Sequence, residues 1–223
     1  MKNLNLLIKF PTRNRPDKFF KMLDLYYLFL RTTNFNFIIS CDVDDITMNN
    51  SLIRQRLDSY PNLTYCFSEN KSKVEAINNN LKNVDFDILL LASDDMQPIK
   101  PGYDRIIKDC MVNSFPDTDG VLWFNDGFQG DNLNTLVIVG KKYYDRFNYI
   151  YHPSYKSLYC DTEFTYVSKI NQKVKYFNEV LIKHVQYSIV KEVPDELYIR
   201  NDLLANVDQA NFERRLKHKF LYE

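Results

Sequence analysis

Two adjacent carboxylates, Asp94 and Asp95, directly follow the apolar run 88–91 and the short Ala-Ser step after it. A short apolar run bounded by turn residues predicts a buried strand of an α/β sheet, and ligands of such sheets bind beyond the carboxyl ends of the strands. Neighbouring carboxylates repel each other unless a cation lies between them, and hard oxygen ligands suit Mg²⁺ or Mn²⁺. The pair therefore indicates a divalent-metal site that would hold a phosphate group.

Three more polar loops follow predicted strands in the first half of the chain. The strand-to-loop pairs are 4–10 with 11–16, 37–41 with 42–45, and 63–67 with 68–71. A polar loop after a strand is ordinary when it stands alone. In a parallel sheet, however, all four strand ends lie at one edge, so we expect these loops to converge on a single crevice that mixes cationic and acidic groups.

The remaining pattern predicts the elements that position these loops. Predicted helices at 17–30, 50–57 and 71–81 alternate with the strands and with 87–92, an order that indicates an α/β fold with a mostly parallel sheet and right-handed crossovers. Later segments form a mixed C-terminal half: helices at 103–113, 161–170 and 203–220, with strands at 120–124, 135–139 and 180–185. The last helix is basic and amphipathic, which fits a solvated face or contact with a membrane surface.

Composition excludes several classes of protein. The 223 residues contain 29 basic and 29 acidic side chains, and this zero net charge argues against a general nucleic-acid binder. Only five glycines are present and none forms a GxGxxG or GxxxxGK loop, which disfavours dinucleotide-binding and P-loop enzymes. Four scattered cysteines suggest reduced thiols, and the N-terminal apolar run is too short for a signal peptide or transmembrane segment. We therefore expect a cytoplasmic protein.

The order of the motifs resembles the family-2-type glycosyltransferases of the GT-A fold, which transfer a sugar from a nucleoside diphosphate. The matching segments are 10–15, 42–45, 70–78 and 93–96, with Pro98 close behind. The resemblance covers roughly residues 4–185 and implies a Rossmann-type, mostly parallel central sheet flanked by helices. It implies one GT-A-like domain over 1–223, with a nucleotide-binding half at about 1–100, an acceptor half at about 101–200, and a C-terminal helix at 201–223.

The resemblance also implies the residues of the donor site. Those that would contact the nucleotide are Thr12 and Arg13 in the pocket wall, Asp42 and Asp44 at the base or ribose, Lys73 near the base or diphosphate, and Asp94 at the ribose. Asp95 would coordinate the metal that bridges the two phosphates, and Arg13 and Lys73 would complement the phosphate charge. The Asp-x-Asp string at 42–44 stays open as an alternative metal site.

In the acceptor half, the resemblance implies that Asp161 is the base that deprotonates the acceptor hydroxyl. Cys160 replaces the glutamate that the family carries beside this base, and Glu163 competes for the role. A plain helix N-cap is the alternative reading of Asp161. His184 corresponds to an additional metal ligand of several GT-A enzymes, although a packed histidine would give the same pattern.

Residues 123–126 end a predicted strand on the acceptor side. Their aromatic rings would stack on a sugar or pack in the core, and Asn125 or Asp126 would bond the sugar hydroxyls. The sequence thus predicts a metal-dependent glycosyltransferase that moves a sugar from a UDP-sugar to a hydroxyl of a glycan or glycoconjugate, with inversion by family analogy. The oligomeric state is open, with a homodimer as one candidate.

Two other functions remain open from the sequence. A nucleotidyltransferase of related fold would also pair Mg²⁺ with carboxylates, but it normally has a glycine-rich loop after the first strand, and 11–15 contains no glycine. A non-catalytic nucleotide- or sugar-binding module would keep the fold without turnover. The carboxylates Asp94, Asp95 and Asp161 are all present, which counts against that module.

Overall fold

The computed structural model describes residues 4–185, 199 and 203–220. Its strands are β1 (Leu6–Pro11), β2 (Phe35–Asp42), β3 (Leu63–Ser68), β4 (Ile88–Leu91), β5 (Met96–Pro98), β6 (Val121–Phe124), β7 (Ile138–Gly140), β8 (Val174–Phe177) and β9 (Ile182–His184). Its helices are α1 (Pro16–Phe29), α2 (Ser51–Asp58), α3 (Lys73–Asn78), α4 (Tyr103–Ser114), α5 (Lys141–Tyr144), α6 (Cys160–Ile170) and α7 (Ala205–Lys217). None of the helices in these ranges has the length and apolar character needed to cross a membrane.

Seven strands form one sheet in the order β3-β2-β1-β4-β7-β6-β8, and β5 pairs with β9 in a separate two-stranded sheet. The strands β1 to β4 are parallel to their neighbours among themselves, whereas β7 runs antiparallel to both β4 and β6. The predicted mostly parallel sheet with a mixed C-terminal half is thus confirmed. The strand order changes direction between β1 and β4, and such a switch point opens a ligand crevice at the carboxyl ends of the strands.

Helices cover both faces of the sheet, which explains the continuous apolar strands. On β1, Leu6, Ile8 and Phe10 face a core built with α1 and α4, and Phe10 meets Phe19 edge-to-face with ring centroids 4.9 Å apart. Leu7 faces the opposite core, to which α3 and α6 contribute. Successive side chains of β1 therefore belong to cores on opposite faces of the sheet, and each core is covered by a different pair of helices.

Three short elements were not among the sequence predictions: β5, α5 and β8. Each has only three or four residues, too few for hydrophobic periodicity to distinguish from a loop. Helix α3 is shorter than the predicted 71–81, because Ser72 caps its start by accepting the Glu75 N–H at 3.1 Å and the chain becomes extended at Asn79. Helix α7 lies inside the predicted 203–220.

Candidate active site

The loops after β1 to β4 line one crevice, as their placement in a parallel sheet predicted. It has about 860 Å³ of empty space, which includes the open solvent at its mouth. Its polar lining comes from Thr12, Arg13 and Arg15 after β1, Asp42 at the end of β2, residues 70–73 after β3, and Ser93, Asp94 and Asp95 after β4. Leu204, beside the start of α7, closes part of the wall.

At one end of the crevice, Arg13 joins the two acidic residues of the second loop. Its Nη1 donates to Asp42 Oδ2 at 2.5 Å and to Asp44 Oδ1 at 2.6 Å. Asn70, for which the sequence predicted no role, donates to the other oxygen of Asp42 at 2.6 Å. The hydrogen bond that Arg13 donates to Asp44 is the largest cause that holds the pKa of Arg13 above its usual range. This guanidinium is therefore already neutralised by two carboxylates and is not a free counter-charge for a diphosphate.

Asp94 and Asp95 differ in environment although they are adjacent. The Arg15 Nη1 donates to Asp94 Oδ1 at 3.1 Å, yet burial, with the Asp95 charge adding to it, raises the pKa of Asp94 to about 6. Burial also acts to raise the pKa of Asp95, but the His184 hydrogen bond and charge, Lys73 and the Ser93 hydroxyl outweigh it and hold that pKa below its usual range. Asp95 therefore stays ionised, as a metal ligand must.

The two-stranded sheet brings His184 to Asp95. In the β5–β9 register, Met96 is opposite His184, and the Val185 N–H donates to the Asp95 carbonyl at 2.7 Å. The His184 Nε2 lies 3.7 Å from Asp95 Oδ2. Burial alone would lower the imidazole pKa, but the carboxylates of Asp126 and Asp95 raise it to about 9. A cation that binds Nε2 would have to displace a proton.

These donors fit a hard divalent cation shared with a substrate. No group of three or more candidate ligand side chains occurs in the described ranges 4–185, 199 and 203–220. In nucleotide sites, Mg²⁺ is usually held by one or two carboxylates, with phosphate oxygens and water completing its shell. The Asp95 carboxylate matches that arrangement, and the His184 imidazole beside it would be one further ligand. Asp42 and Asp44 instead face the guanidinium of Arg13, so the alternative metal site is disfavoured.

Asp161 lies in the first turn of α6 and does not cap the helix. The N-cap is Tyr159, with a left-handed φ of 60°, and Asp161 Oδ1 accepts the Thr162 N–H at 2.8 Å. Burial raises the pKa of Asp161 despite the opposing charge of Lys73. Lys73 acts on the pKa of both Asp95 and Asp161, so the first residue of α3 lies within electrostatic reach of both. Asp161 therefore lies near the Lys73 side of the crevice, although it is not one of the lining residues.

Glu163 lies two residues further along α6 and is likewise not among the residues that line the crevice. Arg215 of α7 donates to both of its carboxylate oxygens, at 2.7 Å and 2.8 Å, and the Tyr155 hydroxyl adds a bond of 2.7 Å. Glu163 and Arg215 are both buried. The surroundings of the two candidate bases therefore differ: Asp161 lies within electrostatic reach of Lys73 in the crevice wall, and Glu163 joins α6 to α7.

A second buried carboxylate of α7 was missed by the sequence analysis. Asp208 accepts the backbone N–H groups of Lys156, Ser157 and Leu158 at 2.9, 2.7 and 2.8 Å. The Lys156 carbonyl in turn accepts the Val74 N–H at 3.2 Å. The loop 156–158 thus ties α7 to the starts of α3 and α6. The seven-residue spacing of Asp208 and Arg215, one helix face, was the available signal.

Comparisons with known proteins agree with this geometry at the level of the fold. No protein-family model matches the chain, and no curated protein matches it. Among solved structures, it is similar to the mannosyltransferase PcManGT from Pyrobaculum calidifontis in complex with GDP-Man and Mn²⁺, with TM-score 0.66 and 14% identity over 87% of this chain and 59% of that one.

The chain is also similar to S. aureus TarS 1–349, with TM-score 0.63 and 13% identity over 84% of this chain and 62% of that one. For TarS 1–349 in complex with UDP-GlcNAc, the TM-score is 0.62 and the identity 14%, over 81% of this chain and 58% of that one. The chain thus spans about three fifths of the length of these neighbours. At such identities the likeness establishes the fold: the chain has the GT-A fold of nucleotide-sugar glycosyltransferases.

Proposed function

We propose that the protein is a metal-dependent glycosyltransferase that moves a sugar from a UDP-sugar to a hydroxyl group of a glycan or glycoconjugate. The observation that carries the proposal is the crevice at the switch point of the sheet. It combines an Asp42–Arg13–Asn70 cluster at one end with the ionised Asp95 beside His184 at the other. A nucleoside at the first end and a diphosphate at the second would fill it.

Direct displacement with inversion is the reaction that these groups would perform. Asp161 accepts the proton of the acceptor hydroxyl while that oxygen forms its bond to the anomeric carbon and the sugar–phosphate bond breaks. The raised pKa of Asp161 suits a group that must take up a proton in this step. A divalent cation on Asp95 and His184 would neutralise charge on the leaving diphosphate. Lys73, within electrostatic reach of Asp95, adds a positive charge on the same side.

The nucleoside end supports the assignment of a nucleotide donor. Asp42 is buried with both oxygens hydrogen-bonded, so its position is fixed before a ligand arrives. Thr12, also buried, lies in the same wall. Asp44 is 68% exposed and stands at the rim, where it holds Arg13 in place. Asp94, paired with Arg15, lies between this end and the metal residue.

Melting curves with nucleoside diphosphates test the proposal directly. UDP and GDP are each added with and without Mn²⁺, and a ligand at a hundred times its Kd should add about 2.7 kcal/mol to the unfolding free energy. We expect UDP to stabilise the protein more with Mn²⁺ than without it, and GDP to do less. Absence of any shift by either nucleotide would refute the proposed donor class.

Two aspartate variants show whether the metal effect belongs to the site. Asp95→Ala should abolish the extra stabilisation by Mn²⁺ and leave a smaller shift by UDP alone. Asp109→Ala removes an exposed carboxylate on α4, outside the crevice lining, and should keep the full response. Equal Mn²⁺ responses in the two variants would place the metal elsewhere. Release of free UDP from UDP-sugars in the presence of candidate glycans then identifies donor and acceptor.

The cellular setting is part of the proposal. We place the enzyme in the cytoplasm, where nucleotide sugars are substrates and where its four free cysteines would stay reduced. We treat residues 1–223 as one functional domain, because strands from both halves share the central sheet. Light scattering of the purified protein distinguishes a monomer from a homodimer.

A further inference from the structure

Asp126, expected from the sequence to bond sugar hydroxyls, instead lies behind His184. It is only 2% exposed, and its Oδ1 accepts the backbone N–H groups of Phe128 and Gln129 at 2.9 Å and 2.7 Å. Its Oδ2 accepts the Thr135 hydroxyl at 2.6 Å and lies 3.4 Å from His184 Nδ1. A carboxylate held in this way is not available to a sugar in the crevice.

We propose that Asp126 is a positioning residue that orients the His184 ring for cation binding. This inference rests on the proposed metal-dependent function. A neutral imidazole that binds a cation through Nε2 keeps its proton on Nδ1, and metal-binding histidines usually donate that N–H to a carboxylate or carbonyl. In this chain, Nδ1 faces Asp126 and Nε2 faces Asp95. Asp126 therefore selects the ring orientation and tautomer that His184 needs.

The surroundings keep this arrangement rigid. The His184 N–H donates to the Asp126 carbonyl at 2.8 Å, so the backbone and the side chain of Asp126 hold the same residue. The turn after it depends on Gly127, which has a left-handed φ of +74°. The Phe128 ring that follows contacts the imidazole edge-to-face, with centroids 6.0 Å apart. With four donors on its carboxylate, Asp126 cannot rotate away from His184 without losing hydrogen bonds.

Cation affinity is the first readout, because it does not depend on turnover. Mn²⁺ binding in the presence of UDP is titrated by electron paramagnetic resonance for the wild type and Asp126→Asn. We expect the variant to bind Mn²⁺ about 10–100-fold more weakly, the usual effect of removing such a partner from a metal-bound histidine. Thr135→Val, which removes one hydrogen bond of the carboxylate, should give a smaller loss in the same direction.

The histidine tautomer is the second readout, and a loop-stabilising role alone would not change it. Nitrogen-15 spectra of the complex with Mg²⁺ and UDP should show His184 protonated on Nδ1 in the wild type and a mixture of forms in Asp126→Asn. Asp119→Asn is the matched control, since Asp119 is also buried but pairs with Arg146 and Lys173. It should leave both the tautomer and the Mn²⁺ affinity unchanged.

A double-variant cycle separates this inference from the proposed function. In a His184→Ala background, Asp126→Asn should weaken Mn²⁺ binding no further, because its effect acts through the imidazole. An equal loss in both backgrounds, or no loss in either, would overturn the positioning role. Asp95→Ala tests the metal site itself. If Asp95→Ala leaves Mn²⁺ affinity intact, the proposed metal site fails whatever Asp126 does.

Discussion

Charged side chains have different surroundings in the two halves of the molecule. In the crevice, Arg13, Asp42, Asp94 and Asp95 border open space, where a substrate can reach them. Between α6 and α7, the buried Arg215 donates to the buried Glu163 carboxylate, which also accepts a hydrogen bond from the Tyr155 hydroxyl.

This contrast shows which carboxylates are available for chemistry. A carboxylate that lies outside the crevice lining, with its oxygens bonded to buried partners, stabilises the fold. Glu163 and Asp208 belong to this class, because every bond described for them joins chain segments. Asp95 lines the crevice, and Asp161 lies within electrostatic reach of Lys73 in the crevice wall. Position relative to the crevice, and not residue type, therefore distinguishes the candidate site residues from the structural ones.

The largest expected effect separates two acids on the same helix. Asp161→Asn should lower kcat by about 10²–10⁴, because an amide cannot accept the proton of the acceptor hydroxyl. UDP and Mn²⁺ affinities should stay near those of the wild type. Steady-state kinetics with the acceptor identified for the wild type give both values.

Glu163→Gln is the matched comparison two residues away. Its kcat, measured below the unfolding transition, should remain within a few-fold of the wild type, because Glu163 faces Arg215 and Tyr155. Turnover that survives in Asp161→Asn but is lost in folded Glu163→Gln would reverse the roles of the two residues. The contrast between the halves would then be wrong at its central point.

The next effect concerns the contribution of the Glu163–Arg215 ion pair to the stability of the fold. Arg215→Met should lower the free energy of unfolding by about 3–5 kcal/mol, because it leaves Glu163 buried without its counter-charge. Urea denaturation measures this loss. Combining it with Glu163→Gln should recover part of the stability, since the unpaired charge is gone. If Arg215→Met costs less than about 1 kcal/mol, this pair is no more structural than a surface ion pair.

A third effect comes from Lys9, a fully buried lysine on β1. Its ammonium bonds the Ser40 hydroxyl and donates to the Asn79 carbonyl at 2.7 Å, and burial lowers its pKa to about 7. Because the unfolded chain keeps the usual value near 10.5, it binds more protons than the folded chain between pH 7 and 10. Stability contributed through Lys9 should therefore rise with pH across that range.

Comparison with Lys9→Met isolates this contribution. The raised pKa of His184 acts in the opposite direction, because its protonation stabilises the fold below pH 6.5 and is lost as the pH rises through about 9. Both the wild type and Lys9→Met retain His184, so the difference between their unfolding free energies at each pH does not contain the His184 contribution. The wild type should gain about 2 kcal/mol on the variant between pH 7 and pH 9, measured by urea denaturation at each pH. Parallel curves would mean that Lys9 keeps its proton in the core.

The two halves also differ in how well the sequence predicted them. The parallel β1–β4 order follows from apolar runs and turns, and that order alone brings 11–16, 42–45 and 93–95 to one edge. The approach of His184 to Asp95 depends instead on β5, which has three residues and no periodic signal. The pairing of two strands separated by nearly ninety residues depends on tertiary packing, which the local sequence does not specify.

Side-chain partners were the least predictable feature. Arg13 lies in the crevice wall, but its attachment to Asp42 and Asp44 depends on the distance between two loops. Asp126 and Glu163 each had a chemical role in the sequence analysis, and burial gives each of them fixed partners instead. Burial follows from how the C-terminal elements pack, which a residue pattern along one chain does not specify.

The smallest expected effect tests the crevice side of the contrast. Asp42 and Asp44 share the guanidinium of Arg13, but Asp44 is 68% exposed in its side chain and Asp42 only 9%. Asp44→Ala should change the free energy of unfolding by less than about 1 kcal/mol, as is usual for exposed ion pairs. Asp42→Ala should cost about 1–3 kcal/mol, because it removes the acceptor of the Asn70 amide and one of the two carboxylates bonded to Arg13. Equal losses for the two variants in urea denaturation would mean that Asp44 at the rim is bonded as firmly as the buried Asp42. The rim carboxylate would then resemble Glu163, which is bonded to Arg215 and Tyr155, and would be no more available to a nucleotide.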